Sequence, residues 1–216
     1  MYDVIVLGAT FASAGIAREC KDRCLVIEQS AQAGGEFTSA LSTDPNGGSH
    51  LYRCFEESEI LFCTKLVSLE KIEEGFLCTT HGVNGFRTHK AKRVIDTRCN
   101  DAMCLSKTYN LLIESNEEPD NLKTPYTAGN RNHTYLLRCT VPLSCGYGQA
   151  REEAARVMER FSGTQRLIFS ANAFDYQVKP GYPKTENGIL YLPSKAYESP
   201  SLAFEAGVSF GKEVAQ

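Results

Sequence analysis

Residues 1–35 alternate short apolar runs with polar breaks, at lengths expected of a strand, a helix and a second strand. Tyr2 to Leu7 is a short, mostly apolar run, typical of a β-strand buried on both faces, and Gly8 follows where a sharp turn must begin. Residues 11–21 predict a helix, and Cys24 to Ile27 predict the second strand. This order predicts a βαβ unit at the start of the chain.

The predicted unit carries groups that suit a dinucleotide. The free N–H groups and the positive dipole end at the start of its helix can hold a pyrophosphate. Glu28 closes the second strand about 20 positions after Gly8, the spacing at which a dinucleotide-binding unit places a carboxylate for the ribose hydroxyls. A plain βαβ turn that holds no ligand is the alternative.

The glycine pattern of the turn is incomplete. Of the three glycines in the G-x-G-x-x-G fingerprint only Gly8 is present, while Thr10 and Ser13 place side chains where the other two leave space. Both hydroxyls can donate to a phosphate oxygen. The predicted pyrophosphate contacts are Gly8, Ala9, Thr10, Phe11, Ala12 and Ser13.

The segment after Glu28 contains a Gly34-Gly35 pair. Together with the opening strand, it resembles the FAD-dependent oxidoreductase superfamily, in which such a pair lets the chain turn around the cofactor. The resemblance implies FAD as the cofactor, with contacts at Gln29, Gly35 and Glu36. Gln29 is neutral, which disfavours a 2′-phosphate and therefore NADP.

Residues 60–98 predict short strands, with turns at residues 73–75 and 82–85. This stretch resembles the β-meander that the same superfamily inserts before its next parallel strand. The resemblance implies that Val67 lies near the adenine and that Thr97 lies near the cofactor. Arg98 and Cys99 replace the small residue and the glycine that usually follow.

The C-terminal segment predicts a strand over residues 188–193, a loop over 194–201 and a helix over 202–214, with Pro200 suited to a first helical turn. It resembles the element that closes over the flavin in this superfamily, which implies a contact at Ala203. The usual Gly-Asp of that element is absent. An ordinary amphipathic terminal helix is the alternative.

The middle of the chain differs in composition. Residues 114–134 are polar and rich in Asn, as loops are. The elements predicted around them are a strand over Tyr109 to Ile113, a strand over Tyr135 to Val141, a helix over residues 149–161 and a strand over Arg166 to Ser170. They predict a small α+β cap rather than further Rossmann repeats.

We therefore expect an α/β fold in which a Rossmann-like FAD/NAD(P)-binding domain with a β-meander carries a small α+β cap. The expected FAD-binding domain spans residues 1–100 and is completed by residues 185–216. Residues 101–184 form the expected cap and substrate domain. This cap is short for the superfamily.

Composition narrows the function classes. The chain has 216 residues, 42% of them hydrophobic, which is ample for a core. No apolar run reaches the length of a membrane span, and the strand at Tyr2 leaves no room for a signal peptide, so we expect a cytoplasmic protein without a membrane partner. The net charge of −3 and the scattered basic residues argue against a nucleic-acid partner. Nine cysteines without a C-x-x-C pair predict reduced, structural thiols.

Catalytic residues are not predicted, because a flavin itself carries the hydride step. The four histidines, at positions 50, 81, 89 and 133, are dispersed and predict no metal site. In the expected cap, side chains able to bind a polar substrate or relay a proton are Tyr109, His133, Arg138 and Tyr176.

The function expected from the resemblance is that of an FAD-dependent oxidoreductase, with flavin-mediated hydride transfer on a small-molecule substrate. A nicotinamide or another electron carrier is a candidate redox partner. Two alternatives stay open: a non-catalytic Rossmann-fold relative with weak or absent cofactor binding, and an NAD-binding dehydrogenase. The incomplete glycine pattern and Arg98 favour the first, whereas the Gly34-Gly35 pair and the meander disfavour the second.

Overall fold

The computed structural model describes residues 1–41 and 51–216. Within these ranges the chain forms two compact units. The first comprises residues 1–35, 51–99 and 179–216, and the second comprises residues 36–41 and 100–178. The described helices are α1 (Phe11–Cys20), α2 (Tyr147–Met158) and α3 (Pro200–Ala215).

The first unit is built on a parallel sheet. Its strands lie in the order β12 (Lys184–Glu186), β13 (Ile189–Tyr191), β6 (Gly85–Asp96), β1 (Tyr2–Leu7), β2 (Cys24–Ile27) and β3 (Glu59–Leu61). All neighbours in this order are parallel except β12, which is antiparallel to β13. The central strands are fully buried runs, as the continuous apolar pattern of β1 and β2 predicts.

The long strand β6 belongs to two parts of this sheet. Its first part is antiparallel to β5 (Gly75–Gly82), which pairs in turn with β4 (Lys65–Ile72). Its last part lies parallel to β1, from Ala91 to Asp96. The three antiparallel strands are the predicted β-meander, which is therefore confirmed.

Helices α1 and α3 pack against each other with almost no side-chain spacing. A Cβ on Gly15 would lie closer than 3.0 Å to the backbone of α3, and a Cβ on Gly207 would do the same against the carbonyl of Ala12. Gly211 is similarly close to Ile16, and its carbonyl accepts a hydrogen bond from the Cys20 thiol. The glycines therefore set how closely the two helices approach.

The second unit contains an antiparallel sheet. Its strands are β10 (Gln165–Ser170), β7 (Cys104–Ser115), β9 (Thr134–Val141) and β8 (Tyr126–Ala128), in that order, with β11 (Asp175–Val178) also paired to β7. One sheet face and α2 form a buried apolar cluster, which includes Leu111, Ile113, Leu137, Ala150 and Ala154. This unit has the α+β composition predicted from the sequence.

Several predicted boundaries need correction. The strand predicted at Tyr109 to Ile113 extends over Cys104–Ser115, because polar residues at its ends still pair with β9 and β11. The predicted loop over residues 114–134 contains β8. Helix α3 begins at Pro200, earlier than predicted, since Ser199 caps it by accepting a hydrogen bond from the Leu202 amide at 3.2 Å.

Candidate functional site

The β1–α1 turn begins at Gly8, whose φ of +93° favours glycine. A Cβ at this position would lie 2.6 Å from Cγ of Arg98. The Gly8 amide donates to the Ile27 carbonyl at 2.8 Å, and the Ala9 carbonyl accepts from the Gly34 amide at 2.7 Å. The turn is thus held to β2 and to the Gly34-Gly35 segment.

The first turn of α1 is capped by its own side chains. The Thr10 hydroxyl accepts from the Ser13 amide at 3.2 Å, and the Ser13 hydroxyl accepts from the Thr10 amide at 2.7 Å. Ser13 also donates to the Thr10 carbonyl at 2.8 Å. These contacts form a reciprocal capping box. Both hydroxyls, predicted as phosphate donors, are engaged in holding the helix start.

The Glu28 carboxylate lies beside this turn, at the carboxyl end of β2. Its Oε2 accepts from the Ala9 amide at 2.7 Å, and its Oε1 accepts from the Ser30 amide at 2.6 Å. Hydrogen bonds from two amides favour the charged form of a carboxylate. The predicted ribose-binding acid and the predicted phosphate turn are therefore brought together.

A serine from the other end of the chain completes the turn. Ser194 begins a short 3₁₀ turn, Ser194–Ala196, between β13 and α3. Its hydroxyl accepts from the Ala12 amide at 2.9 Å, and its own amide donates to the Thr97 carbonyl at 3.2 Å. Ser194 is 0% exposed. The sequence gave no signal for this contact, because it joins residues far apart in the chain.

An arginine lies across the Gly8 turn. Arg98 donates to both carboxylate oxygens of Asp96, from Nε at 2.9 Å and from Nη2 at 2.7 Å. Burial lowers the pKa of Arg98, but the hydrogen bonds and the charge of Asp96, with a smaller effect of Glu28, raise it overall. The guanidinium is a permanent positive charge, and its side chain is 42% exposed.

The remaining predicted contacts are distributed differently. Thr97 is fully buried and donates to the carbonyls of Leu7 and Gly8, so it anchors the turn from below. Gln29 is exposed, Gly35 is half-buried, and Val67 is 52% exposed on β4. Ala203 is buried inside α3, and Glu36 belongs to the second unit.

In the second unit, the structure brings together two of the four candidate substrate residues. Tyr109 and Tyr176 both lie with their rings 6.2 Å from that of Phe174. Burial, and then the nearby Asp101, raise the pKa of Tyr176. Arg138 belongs to the opposite face of the sheet, where its Nε is buried and has no partner among the described residues. His133 is exposed in the turn before β9.

Sequence reasoning missed a buried lysine in this unit. Lys107 is 2% exposed on β7, where its ammonium donates to Asp101 at 3.0 Å and to the Leu143 carbonyl. The same ammonium lies 4.4 Å from the ring centre of Phe174. These contacts satisfy the charge inside the unit. A lysine within a polar stretch of strand carries no sequence signal of burial.

Metal chemistry has no donor cluster in the part of the chain that the structure describes. No group of three or more His, Cys, Asp or Glu side chains is placed to hold an ion there. His50 lies outside the described residues. Over the same residues, no helix combines the length and hydrophobicity needed to cross a bilayer.

The fold, in contrast to the sequence, has clear relatives. No protein-family model matches the sequence, and no curated protein matches it. A geranylgeranyl bacteriochlorophyll reductase-like protein from Thermoplasma acidophilum matches at a TM-score of 0.64 and 12% identity, over 99% of this chain and 78% of that one. The anhydrotetracycline hydroxylase OxyS from Streptomyces rimosus matches at 0.63 and 13% identity, over 99% and 62%.

A third similar structure was solved with its cofactor. Aklavinone-11 hydroxylase, in a ternary complex with FAD and aklavinone, matches at a TM-score of 0.60 and 11% identity, over 99% of this chain and 62% of that one. The chain thus spans 62% of the length of both hydroxylases. At these identities the likeness shows the fold, which is that of flavoprotein hydroxylases and reductases.

Proposed function

We propose that this chain binds FAD at the β1–α1 turn and acts as an FAD-dependent oxidoreductase on a small molecule. The observation that carries the proposal is the Glu28 carboxylate, hydrogen-bonded to the Ala9 amide at the carboxyl end of β2. Open parallel sheets bind nucleotides beyond this end of their strands. The FAD in the similarly folded aklavinone-11 hydroxylase supports the same cofactor.

The turn suits a dinucleotide in its backbone but has already used its donors. Gly8 gives the sharp turn, and Glu28 stands about 20 residues later, at the ribose position. The Ala12 amide, which faces outward from the first helical turn, donates to Ser194 instead. A pyrophosphate fits the frame of this site, and the contact between Ala12 and Ser194 must change when it binds.

The chain's own residues then have defined roles. Glu28 accepts hydrogen bonds from the ribose hydroxyls, and the amides at the start of α1 bind the pyrophosphate. Arg98 offsets negative charge beside the turn. A bound flavin would supply hydride transfer. The second unit would supply the contacts to the substrate, and a nicotinamide or another electron carrier would be the redox partner.

A second candidate is a non-catalytic relative with weak cofactor binding. The internal hydrogen bonds of Ala9, Thr10, Ala12 and Ser13 favour it, because each occupies an amide that a bound phosphate can use. The two candidates differ in affinity for FAD rather than in fold.

Visible absorption of the purified protein, followed by thermal unfolding with added FAD or NAD, tests the proposal. We expect bound flavin, or a midpoint that rises with FAD and not with NAD, since a ligand at 100 times its Kd stabilises by about 2.7 kcal/mol. A midpoint unmoved by either nucleotide would contradict the proposal and favour the second candidate. A shift with NAD alone would favour a dehydrogenase.

A further inference from the structure

The Ala12 amide in the first turn of α1 has an unusual acceptor. Helix N-terminal amides lack intrahelical partners and are filled by caps, water or anions. Here the acceptor is the Ser194 hydroxyl, 2.9 Å away, on a residue that is 0% exposed. The Ala12 amide is therefore buried and satisfied without any ligand.

The neighbouring amides follow the same rule. The Ala9 amide donates to Glu28, the Thr10 amide to Ser13, and the Ser13 amide to Thr10. Three of the four acceptors belong to β2 or to the turn itself, and they remain in place when the rest of the chain moves. Only the Ser194 hydroxyl comes from the segment between β13 and α3.

We propose that the Ser194 hydroxyl is an internal substitute for a phosphate oxygen, so that FAD binds in competition with the contact between Ser194 and Ala12. This inference rests on the function proposed above. A phosphate oxygen makes a stronger, charge-assisted hydrogen bond with an amide than a neutral hydroxyl does. The exchange is favourable at Ala12, but it requires the Ser194–Ala196 turn to move away from α1. The opening of this turn weakens FAD binding.

The segment around Ser194 is built for such a change. Leu192 to Ser194 are buried, whereas Ala196 and Glu198 are exposed. The 3₁₀ turn holds itself through hydrogen bonds from the Ala196 amide to the Pro193 carbonyl and from the Tyr197 amide to the Ser194 carbonyl. It can therefore move as one piece, with loss of the contacts that Ser194 makes to Ala12 and Thr97.

The test compares Ser194→Ala with Ser199→Ala. Both variants remove a hydroxyl that accepts from a helix N-terminal amide, but Ser199 caps α3 and not α1. FAD is titrated into cofactor-free wild-type protein and into each variant, with quenching of flavin fluorescence as the readout. Thermal unfolding without FAD is measured on the same samples.

We expect Ser194→Ala to lower the unfolding midpoint without FAD and to bind FAD about tenfold more tightly than wild type. The Ala12 amide, left without an acceptor, regains one only from the phosphate. Ser199→Ala should also unfold earlier but keep the wild-type dissociation constant for FAD. If Ser194→Ala does not fold, Ser194→Cys, whose thiol is a weak acceptor, should show a smaller gain in the same direction.

The outcomes separate the inference from the proposed function. FAD binding by Ser194→Ala alone, or tighter binding than wild type, supports both. Wild-type binding that is unchanged or weakened in Ser194→Ala or Ser194→Cys overturns the inference and leaves the function standing. Absence of FAD binding in wild type and in every variant overturns the proposed function, and the inference with it.

Discussion

Two helices in this chain start next to glycines, and the two starts are built in opposite ways. Helix α1 follows Gly8 in a buried turn whose amides donate to Glu28, Ser13, Ser194 and Thr10. Helix α2 follows Gly146, and a Cβ on Gly146 or on Gly148 would meet nothing within 4 Å. A glycine before a helix therefore indicates close approach only where another part of the chain fills the space.

The difference extends along both helices. Helix α1 crosses α3 at a distance set by Gly15, Gly207 and Gly211. Helix α2 packs on its sheet through Ala150, Ala154 and Val157 and leaves its first residues exposed. Substitutions at α1 should therefore be costly and substitutions at the start of α2 should not. The predictions below test this contrast from the largest effect to the smallest.

Gly207→Ala should cause the largest loss. Its Cβ would lie closer than 3.0 Å to the Ala12 carbonyl, a backbone atom that cannot rotate away, so the two helices must separate. Overpacking of a core costs about 1–3 kcal/mol and sometimes more, and we expect a loss of about 3 kcal/mol in unfolding free energy. Urea unfolding measures it. A loss below about 1 kcal/mol would contradict the close crossing.

Gly8→Ala should cost about 2 kcal/mol, because it combines a φ of +93° with a contact to Arg98. The flexible Arg98 stem can move, whereas the backbone strain stays. The double variant with Arg98→Ala should therefore lose less than the sum of the two single losses. Strict additivity in urea unfolding would show that Arg98 does not lie against the turn.

Thr10→Ala should cost about 1 kcal/mol, since the Ser13 amide loses its acceptor in the capping box. Helix α2 begins at Gly146 without a side-chain acceptor, so Gly146→Ser offers a matched change in the other direction. It should change stability by no more than a few tenths of a kcal/mol. Equal and opposite effects at the two positions would erase the contrast.

Gly148→Ala should stabilise the protein by about 0.5–1 kcal/mol. The residue lies in the first turn of α2, and its added Cβ meets no atom within 4 Å, so the main effect is the smaller loss of backbone entropy on folding. Thermal and urea unfolding both detect a gain of this size. A destabilised variant would mean that the start of α2 is packed against a neighbour.

The sequence carried the local part of this fold. The bounds of β1 and β2 match the apolar runs, because a strand buried on both faces leaves a continuous pattern. It could not carry the contact between Ala12 and Ser194, which forms only when α3 returns to α1. Burial of Lys107 was equally hidden, since Asp101 and Phe174 reach it only in the folded unit.

The central claim is that Glu28 and the Gly8 turn hold the adenosine end of FAD. Titration calorimetry of FAD into cofactor-free wild type and into Glu28→Gln tests it most directly. Glutamine keeps an acceptor for the Ala9 amide but removes the charge that strengthens hydrogen bonds from the ribose hydroxyls. The account predicts one FAD site in wild type and binding about tenfold weaker in the variant. No heat of binding in wild type, or equal affinity in both proteins, would contradict it.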